Sequence, residues 1–294
     1  NNIEKYINRN TILIVGSTPN YPNGNMDDIG YLNKLALKYD IGLHVDCCIG
    51  SFLLPTIKHF KDYDEYNEYS QYESIPDFDF KLKGVTSMSV DTHKFGFTPK
   101  GSSVVMFNSK ELRECVYFCY PNASIGMYAT PTLMGSRSGG LIASAWITLM
   151  YIGKDGYIKY TKEIMNCVNT VKNAILTDNG IIKKNIQLIG KPVTSILAFK
   201  SINDKLKIFK LSDAMNNRGW VFNNLQNPEC IHYCFTLANC HKPNKFINDL
   251  KHAINEVLTK PELYMKTSGA LYGTVVSLPS NATNFKNKLL TTYM

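Results

Sequence analysis

The chain lacks any long hydrophobic run: no apolar stretch among its 294 residues approaches the roughly 20 residues that a membrane-spanning helix requires. Its first residues also lack the charged-then-apolar pattern of a secretion signal. Charged residues are scarce, at 19% of the composition against 44% hydrophobic residues. This balance predicts a soluble globular protein with a sizeable core, organised as one large domain and a smaller one.

The eight cysteines lack the paired spacing of a disulfide framework, so we expect free thiols in a reducing compartment. Cys230, His232, Cys234, Cys240 and His241 lie close together in sequence and are residue types that bind zinc. However, apolar residues alternate with them in strand period, and the usual CxxC pairs are absent. We therefore expect no metal site, and we expect His232 and Cys234 to lie on one face of a strand, opposite the apolar residues that alternate with them.

The chain also lacks a basic block and an arginine-aromatic stripe, so nucleic acid is not an expected partner. Its net charge of +8 is moderate and spread along the sequence. This charge would suit an anionic small molecule or a phospholipid surface. A background composition rich in Lys and Asn accounts for the same charge without any partner.

The first part of the sequence alternates between strand patterns and helix patterns. Apolar strand patterns cover Thr11–Val15 and Ile41–Asp46, and between them lies a helix pattern whose apolar positions begin at Ile29. Strand, helix and strand in this order predict a parallel sheet, in which ligands bind outside the carboxyl ends of the strands. Further strands are predicted over Phe78–Val90 and Ser102–Phe107, and the polar stretch Lys61–Glu73 is predicted to be a surface insertion.

Lys94 lies where a strand pattern gives way to a turn rich in Gly, Pro and Ser. A lysine is a useful nucleophile toward an aldehyde only when its amine is partly deprotonated, which requires a desolvated or cation-crowded position. The end of a buried strand would supply this position, with His93 and Lys100 as neighbours. Asp46 ends a strand at the same sheet edge, and a buried aspartate needs a cationic partner. The pattern alone leaves two alternatives open. Lys94 could be a solvated loop lysine, and Asp46 could cap a turn.

The stretch Gly126–Gly140 combines small residues with Tyr128 and Arg137 just before an apolar helix pattern that starts near Leu141. A helix N-terminus with Ser, Gly and Arg nearby favours an anion. The small residues are equally typical of close packing at a subunit contact. Both interpretations stay open.

A second region follows, and we predict its boundary near Tyr157, which gives domains 1–156 and 157–294. Alternating strands and helices over a short span predict a compact α+β domain. The predicted helices are Gly156–Leu176, Leu206–Asn216 and Asn244–Leu258, and the predicted strands are Ile186–Ile189, Ser195–Phe199, Trp220–Leu225 and Ile231–Leu237.

Five motifs together resemble the sphingosine-1-phosphate lyase family, within the pyridoxal-phosphate-dependent group II decarboxylase superfamily. The histidine-aspartate and histidine-lysine motifs mark the superfamily, whereas the others are more specific to the lyase branch. The resemblance runs from about Ile12 to about Gly273. The motifs are His44–Asp46, Val90–Gly96, Pro99–Ser103, Tyr128–Pro131 and Gly135–Gly140.

The resemblance implies an α/β architecture of the fold-type I, pyridoxal-phosphate-dependent transferase-like kind. A mainly parallel large domain, incomplete here over residues 1–156, would bind the cofactor, and residues 157–294 would form the α+β small domain. It also implies a homodimer with active sites at the subunit interface.

By the same resemblance, Lys94 would form the Schiff base with pyridoxal 5'-phosphate and Asp46 would pair with the protonated pyridine nitrogen. His93 would bind the cofactor phosphate. Tyr128 and the freed Lys94 would transfer protons, and Lys100 would bind the substrate phosphate or relay a proton. Arg137 and Tyr128 would contact the substrate.

The implied reaction is a retro-aldol cleavage of a phosphorylated sphingoid base to a fatty aldehyde and phosphoethanolamine. It would take place in the cytoplasm, or at the cytosolic face of the endoplasmic reticulum membrane if an upstream portion carries an anchor. Two alternatives are an amino-acid decarboxylase of the same superfamily and a truncated, non-catalytic homologue that acts only through its dimer surface.

One departure from the family pattern concerns the region upstream of the first strand. Family members carry there the loop that binds the cofactor phosphate, a histidine that stacks on the cofactor ring and, in eukaryotic forms, a membrane anchor. The sequence given begins within the large domain, so we expect it to be a fragment of a longer protein. An upstream portion would then be the part that meets a membrane surface.

Overall fold

The computed structural model of the protein describes residues 3–58, 60 and 75–264. It forms two compact units. The first takes in the described residues up to Lys162 except 22–24, and the second takes in 22–24 and the described residues from Glu163 onward. The boundary near Tyr157 stays a prediction, and the predicted insertion Lys61–Glu73 lies outside the described residues.

The first unit is built on a four-stranded sheet of order β1-β2-β3-β4, with a separate hairpin made of β5 and β6. Strands β1, β2 and β3 are parallel and β4 is antiparallel to β3, which confirms the mainly parallel sheet. The strands are β1 (Leu13–Ser17), β2 (Gly42–Asp46), β3 (Ser87–Val90), β4 (Val104–Phe107), β5 (Phe118–Ala123) and β6 (Gly126–Thr130). The helices are α1 (Ile29–Tyr39), α2 (Leu53–Lys58), α3 (Lys110–Glu114) and the first part of α4 (Gly139–Thr177).

Strand β3 is shorter than the predicted strand Phe78–Val90. The residues before it form successive turns, in which the backbone N–H of Leu82 donates to Asp79 and that of Val85 donates to Leu82. Phe78 and Val85 of this stretch are buried although they lie in a turn-rich segment rather than in a sheet, and a run of apolar residues cannot tell these two cases apart.

One face of the sheet is covered and the other is open. Because side chains alternate along a strand, Leu43 and Val45 point to one face and His44 and Asp46 to the other. The first pair is fully buried, and one face of α1 (Ile29, Leu32, Leu35 and Ala36) and the apolar residues Leu53, Leu54 and Ile57 of α2 are buried in the same unit. The open face carries the polar end of β2, where a ligand could approach.

Gly16 allows α1 to pack closely against the covered face. A Cβ at this position would lie 2.6 Å from Leu32 and 2.7 Å from Ile29, both side chains of α1. Real Cβ atoms do not approach other carbon atoms so closely, so a side chain here would force the ends of the Leu32 and Ile29 side chains to shift. The glycine therefore lets these two side chains of α1 pack directly on β1.

The hairpin of β5 and β6 and the start of α4 expose many large apolar side chains. Met127 is 90% exposed and Trp146 is 64% exposed. Helix α4 breaks at Gly153, whose φ of 60° and ψ of 179° are not helical, so two helical segments occur where the sequence predicts two helices. None of the helices in the described ranges combines the length and apolarity needed to cross a membrane.

The second unit is an α+β arrangement with an antiparallel sheet of order β7-β8-β10-β9. Aromatic rings fill its core, with Phe246 of α7 lying 5.1 Å from the ring of Trp220 and 5.2 Å from that of Tyr233. The strands are β7 (Ile186–Leu188), β8 (Ile196–Ser201), β9 (Asn223–Leu225) and β10 (Cys230–Cys234). The helices are the last part of α4, α5 (Ile181–Asn185), α6 (Ile208–Asn216) and α7 (Pro243–Thr259).

Strand β10 contains both His232 and Cys234, two residues apart and thus on one face, as predicted, and residues on both faces of the strand are buried. His232 is fully buried, and its Nδ1 lies 2.8 Å from the carbonyl oxygen of Pro22 and its Nε2 3.0 Å from the Asn223 amide. Burial lowers the pKa of the His232 imidazole, and the bond to Pro22 only partly offsets this. The ring is thus a hydrogen-bonded core residue, a role that alternation alone does not reveal.

We predict that Phe246→Ala lowers the free energy of unfolding of the second unit by about 3–5 kcal/mol, because it leaves a cavity among packed rings. Urea unfolding followed by circular dichroism measures the change. Val221→Ala is the control in the same unit, since truncating a 73% exposed side chain should cost far less. Equal losses for the two variants would contradict the assignment of this core.

Candidate active site

Asp46 ends β2 on the open face of the sheet. Its Oδ1 accepts two hydrogen bonds of 3.1 Å each, from the hydroxyl of Ser89 on β3 and from the backbone N–H of Cys48. The second bond is a local turn contact, so the turn-capping interpretation of Asp46 describes a real interaction. Turn capping is not the only contact of Asp46, because the bond from Ser89 joins it to the neighbouring strand.

Lys94 lies in the turn after β3, and its surroundings differ from those expected. Its Nζ lies 2.8 Å from Oδ2 of Asp91 and is hydrogen-bonded to the thiol of Cys48. The side chain is 34% exposed, so it is neither a freely solvated lysine nor a buried one. The expected neighbours His93 and Lys100 are thus replaced by a carboxylate and a thiol.

The charge state of Lys94 follows from these contacts. Partial burial lowers the pKa of the amine, but the hydrogen bonds to Asp91 and Cys48 raise it more, so the net shift is upward. Burial alone would raise the pKa of Asp91, but bonds from Lys94 and Ser103 hold it below its ordinary value. The structure therefore holds a charged ion pair rather than a deprotonated amine.

Cys48 lies between the two candidate residues. Its backbone N–H donates to Asp46 at 3.1 Å, and its thiol interacts with both Lys94 and Asp46. Burial raises the pKa of the thiol, the bond to Lys94 lowers it and the charge of Asp46 raises it, with a net upward shift. A neutral thiol thus links the carboxylate at the end of β2 to the amine after β3.

The turn that carries Lys94 is fastened to the loop before β4. The Ser103 hydroxyl donates to Asp91 at 2.6 Å, and Nδ1 of His93 lies 2.7 Å from the carbonyl oxygen of Ser102. The Thr92 hydroxyl lies 2.7 Å from that of Ser102 and donates to it. These bonds leave Nε2 of His93 3.9 Å from the Asp91 carboxylate.

The same turn is held tightly on its other side. A Cβ at Gly96 would lie 2.4 Å from the carbonyl oxygen of Thr92 and 2.7 Å from Phe52, so only glycine fits. Phe97 has a φ of 58°, which a residue with a side chain rarely adopts. The Tyr157 hydroxyl donates to the carbonyl oxygen of Gly96 at 2.8 Å. The turn thus presents Lys94 from a constrained backbone.

Three other predicted site residues lie apart from this pair. Lys100 and Arg137 are exposed, and Tyr128 is exposed on β6, with its hydroxyl 3.7 Å from the place of a Cβ at Gly135. Within the described ranges, no hydrogen bond or ion pair joins any of the three to Asp46 or Lys94. Their roles stay predictions.

Sequence reasoning missed Cys48, Ser89 and Asp91. Asp91 and Cys48 were visible as neighbours of the candidate residues, but nothing in the sequence showed which way their side chains point. Ser89 could have been found from the parallel register, since a serine at the end of β3 must lie beside the last residue of β2.

Comparisons with known proteins agree on one family. The chain is 42% identical over 278 residues to a sphingosine-1-phosphate lyase of Dictyostelium discoideum, covering 94% of this chain and 49% of the relative. A solved sphingosine-1-phosphate lyase from Burkholderia pseudomallei is 36% identical, with a TM-score of 0.77 over 94% of this chain and 58% of that one. No protein-family profile matches the chain.

The fold extends to more distant proteins. A glutamate decarboxylase of Lactobacillus brevis has a TM-score of 0.66 at 21% identity, over 87% of this chain and 57% of that chain. At this identity the likeness shows the fold alone, and it confirms the group II decarboxylase-like architecture. The chain spans about half the length of the curated relatives it matches.

We predict that Asp91→Asn lowers the pKa of Lys94. The substitution removes the charge that raises this pKa and leaves the burial that lowers it. Reductive methylation with a ¹³C label, followed by NMR through a pH titration, reports the ionisation of each lysine.

Asp155→Asn, which changes an exposed carboxylate of the same unit, is the control and should leave Lys94 titrating as in the unaltered protein. An unchanged Lys94 titration in Asp91→Asn would show that the ion pair does not set the charge of the amine.

Proposed function

We propose that this chain, a homologue of the sphingosine-1-phosphate lyases along nearly its whole length, contributes Asp46 and Lys94 to a pyridoxal 5'-phosphate site. The reaction proposed is the cleavage of a phosphorylated sphingoid base to a fatty aldehyde and phosphoethanolamine. The observation that supports it best is the parallel register of β2 and β3, which brings Asp46 and the turn that carries Lys94 to one edge of the sheet.

The donor set fits the cofactor. A carboxylate that already accepts two hydrogen bonds is suited to pair with a protonated pyridine nitrogen. A lysine on a constrained turn is suited to carry an aldehyde covalently. When bound, pyridoxal phosphate supplies an electron sink for the charge left on the substrate carbon that bears the amine.

The resting ion pair has a consequence for Lys94. Before its amine can act as a nucleophile, it must lose a proton and leave the Asp91 carboxylate, which lies 2.8 Å away. Asp91 is a weak base because its pKa is lowered. Its role here is to hold the free lysine charged and in place.

The other residues receive narrower roles. Tyr128 and the released Lys94 are proposed to move protons, and Lys100 and Arg137 to bind the substrate phosphate or its neighbourhood. His93 is proposed to contact the cofactor phosphate through the Nε2 that it does not use for Ser102. These roles follow from motif positions, and the exposure of Lys100 and Arg137 leaves both able to reach a ligand.

A second copy of the chain is the partner that we propose for the exposed apolar surface of the first unit. Soluble monomers rarely leave a large contiguous apolar patch uncovered. This surface also contains the stretch Gly126–Gly140, whose small residues allow close approach of a partner. Its exposed members include Phe118, Tyr120, Ile125, Met127, Leu133, Ile142, Trp146 and Tyr151.

The cytoplasm, or the cytosolic face of the endoplasmic reticulum membrane, is the proposed location. All eight cysteines are free thiols, which suits a reducing compartment.

We predict that the protein carrying this chain shows a visible absorbance band with pyridoxal phosphate and releases a long-chain aldehyde from the phosphorylated sphingoid base. Lys94→Met should abolish both, because no amine remains to carry the cofactor. Lys110→Met, at an exposed lysine of α3, should change neither.

Release of carbon dioxide from an amino acid instead of aldehyde would favour the decarboxylase alternative. A protein with no band would favour the non-catalytic homologue and would sink the lyase proposal.

We predict that Trp146→Glu shifts the protein from dimer to monomer, because it places a charge within the proposed apolar contact. Sedimentation velocity measures the change. Lys110→Glu serves as a surface control that reverses a charge outside the contact. A protein that is monomeric before substitution would contradict self-association.

A further inference from the structure

A row of polar side chains crosses the open face of the sheet next to the candidate site. The parallel register sets His44 opposite Ser87 and Asp46 opposite Ser89. Nδ1 of His44 lies 2.8 Å from the Ser87 hydroxyl, and its Nε2 lies 3.2 Å from the Ser89 hydroxyl. The histidine therefore contacts Asp46 through one serine.

The chemistry of these groups fixes the direction of each hydrogen bond. A carboxylate can only accept, so Ser89 donates its single proton to Asp46. The oxygen of Ser89 must then accept from His44, which requires the proton of the ring to be on Nε2. Nδ1 is left to accept from the Ser87 hydroxyl.

The surroundings of His44 favour the neutral ring that this arrangement needs. Partial burial lowers the pKa of the imidazole, and the charge of Asp46 opposes this shift only in part. A neutral ring with its proton on Nε2 prevents the Ser89 hydroxyl from turning away from Asp46.

We propose that His44 and Ser89 are positioning residues for Asp46, which fix its carboxylate in one orientation at the sheet edge. The inference rests on the proposed cofactor site, since it gives Asp46 the pairing with the pyridine nitrogen. Ser89 and the Cys48 N–H both bind Oδ1, so they set the rotation of the carboxylate about its side chain. A carboxylate held in this way needs no reorientation when a cationic ring arrives.

The first experiment tests the hydrogen-bond row without any cofactor. Histidine labelled with ¹⁵N reports by NMR which ring nitrogen carries the proton. We expect the Nε2–H form of His44 in the unaltered chain and in Ser87→Ala. In Ser89→Ala we expect the Nε2–H form to remain, because the Ser87 hydroxyl can still donate to Nδ1, but the resonance of the Nε2 proton should move upfield because its acceptor, the Ser89 oxygen, is gone. An Nδ1–H ring in the unaltered chain, or an unshifted Nε2 proton in Ser89→Ala, would overturn the proposal.

The second experiment measures the affinity of the protein for pyridoxal phosphate from its absorbance. Ser89→Ala should bind about ten-fold more weakly, as expected for the loss of one hydrogen bond to a charged group. Ser87→Ala is the matched control, with the same change two residues away on the same strand, and should bind within about two-fold of the unaltered protein. Ser89→Thr, which keeps the hydroxyl, should restore the affinity.

The outcomes separate the two proposals. If the unaltered protein binds the cofactor and Ser89→Ala binds equally well, the positioning role is overturned and the proposed function stands. If the unaltered protein binds no cofactor while the NMR of His44 is as expected, the proposed function is wrong. The proposed pairing of Asp46 with the pyridine nitrogen is then wrong as well. Matching thermal unfolding of the serine variants shows that each has folded.

Discussion

The parallel register of β2 and β3 is the constraint on which the candidate site depends. It places the carboxyl ends of both strands at the same edge of the sheet. Asp46 therefore accepts a hydrogen bond from Ser89, and the turn that carries Lys94 follows β3 at this edge. A shift of one residue would turn these side chains to the covered face. The buried pair Leu43 and Val45 opposes such a shift, so the apolar core fixes the geometry of the polar edge.

The electrostatics of the site describe a resting state. Asp91 holds the Lys94 amine charged, and the neutral Cys48 thiol interacts with both Lys94 and Asp46. The Lys94 amine is not a free nucleophile in this state, because it must first separate from the Asp91 carboxylate and lose its proton.

Much of this arrangement could be predicted from the sequence, for identifiable physical reasons. Strand and helix periods, with Asp46 and Lys94 after two strands, were enough to predict a parallel sheet with both residues at one edge. The roles of Asp91 and Cys48 could not be predicted, because spacing does not say whether a neighbour points toward a lysine or away from it. The turns before β3 and the burial of His232 were missed because both depend on tertiary contacts that a local pattern does not contain.

We propose that Lys94 carries the cofactor at the sheet edge where β2 ends in Asp46. Borohydride reduction of the pyridoxal-phosphate-loaded protein fixes the cofactor on the lysine that holds it, and peptide mass mapping then identifies that lysine. We expect the added mass on the peptide that contains Lys94. Its appearance on another lysine, or on none, would contradict this assignment.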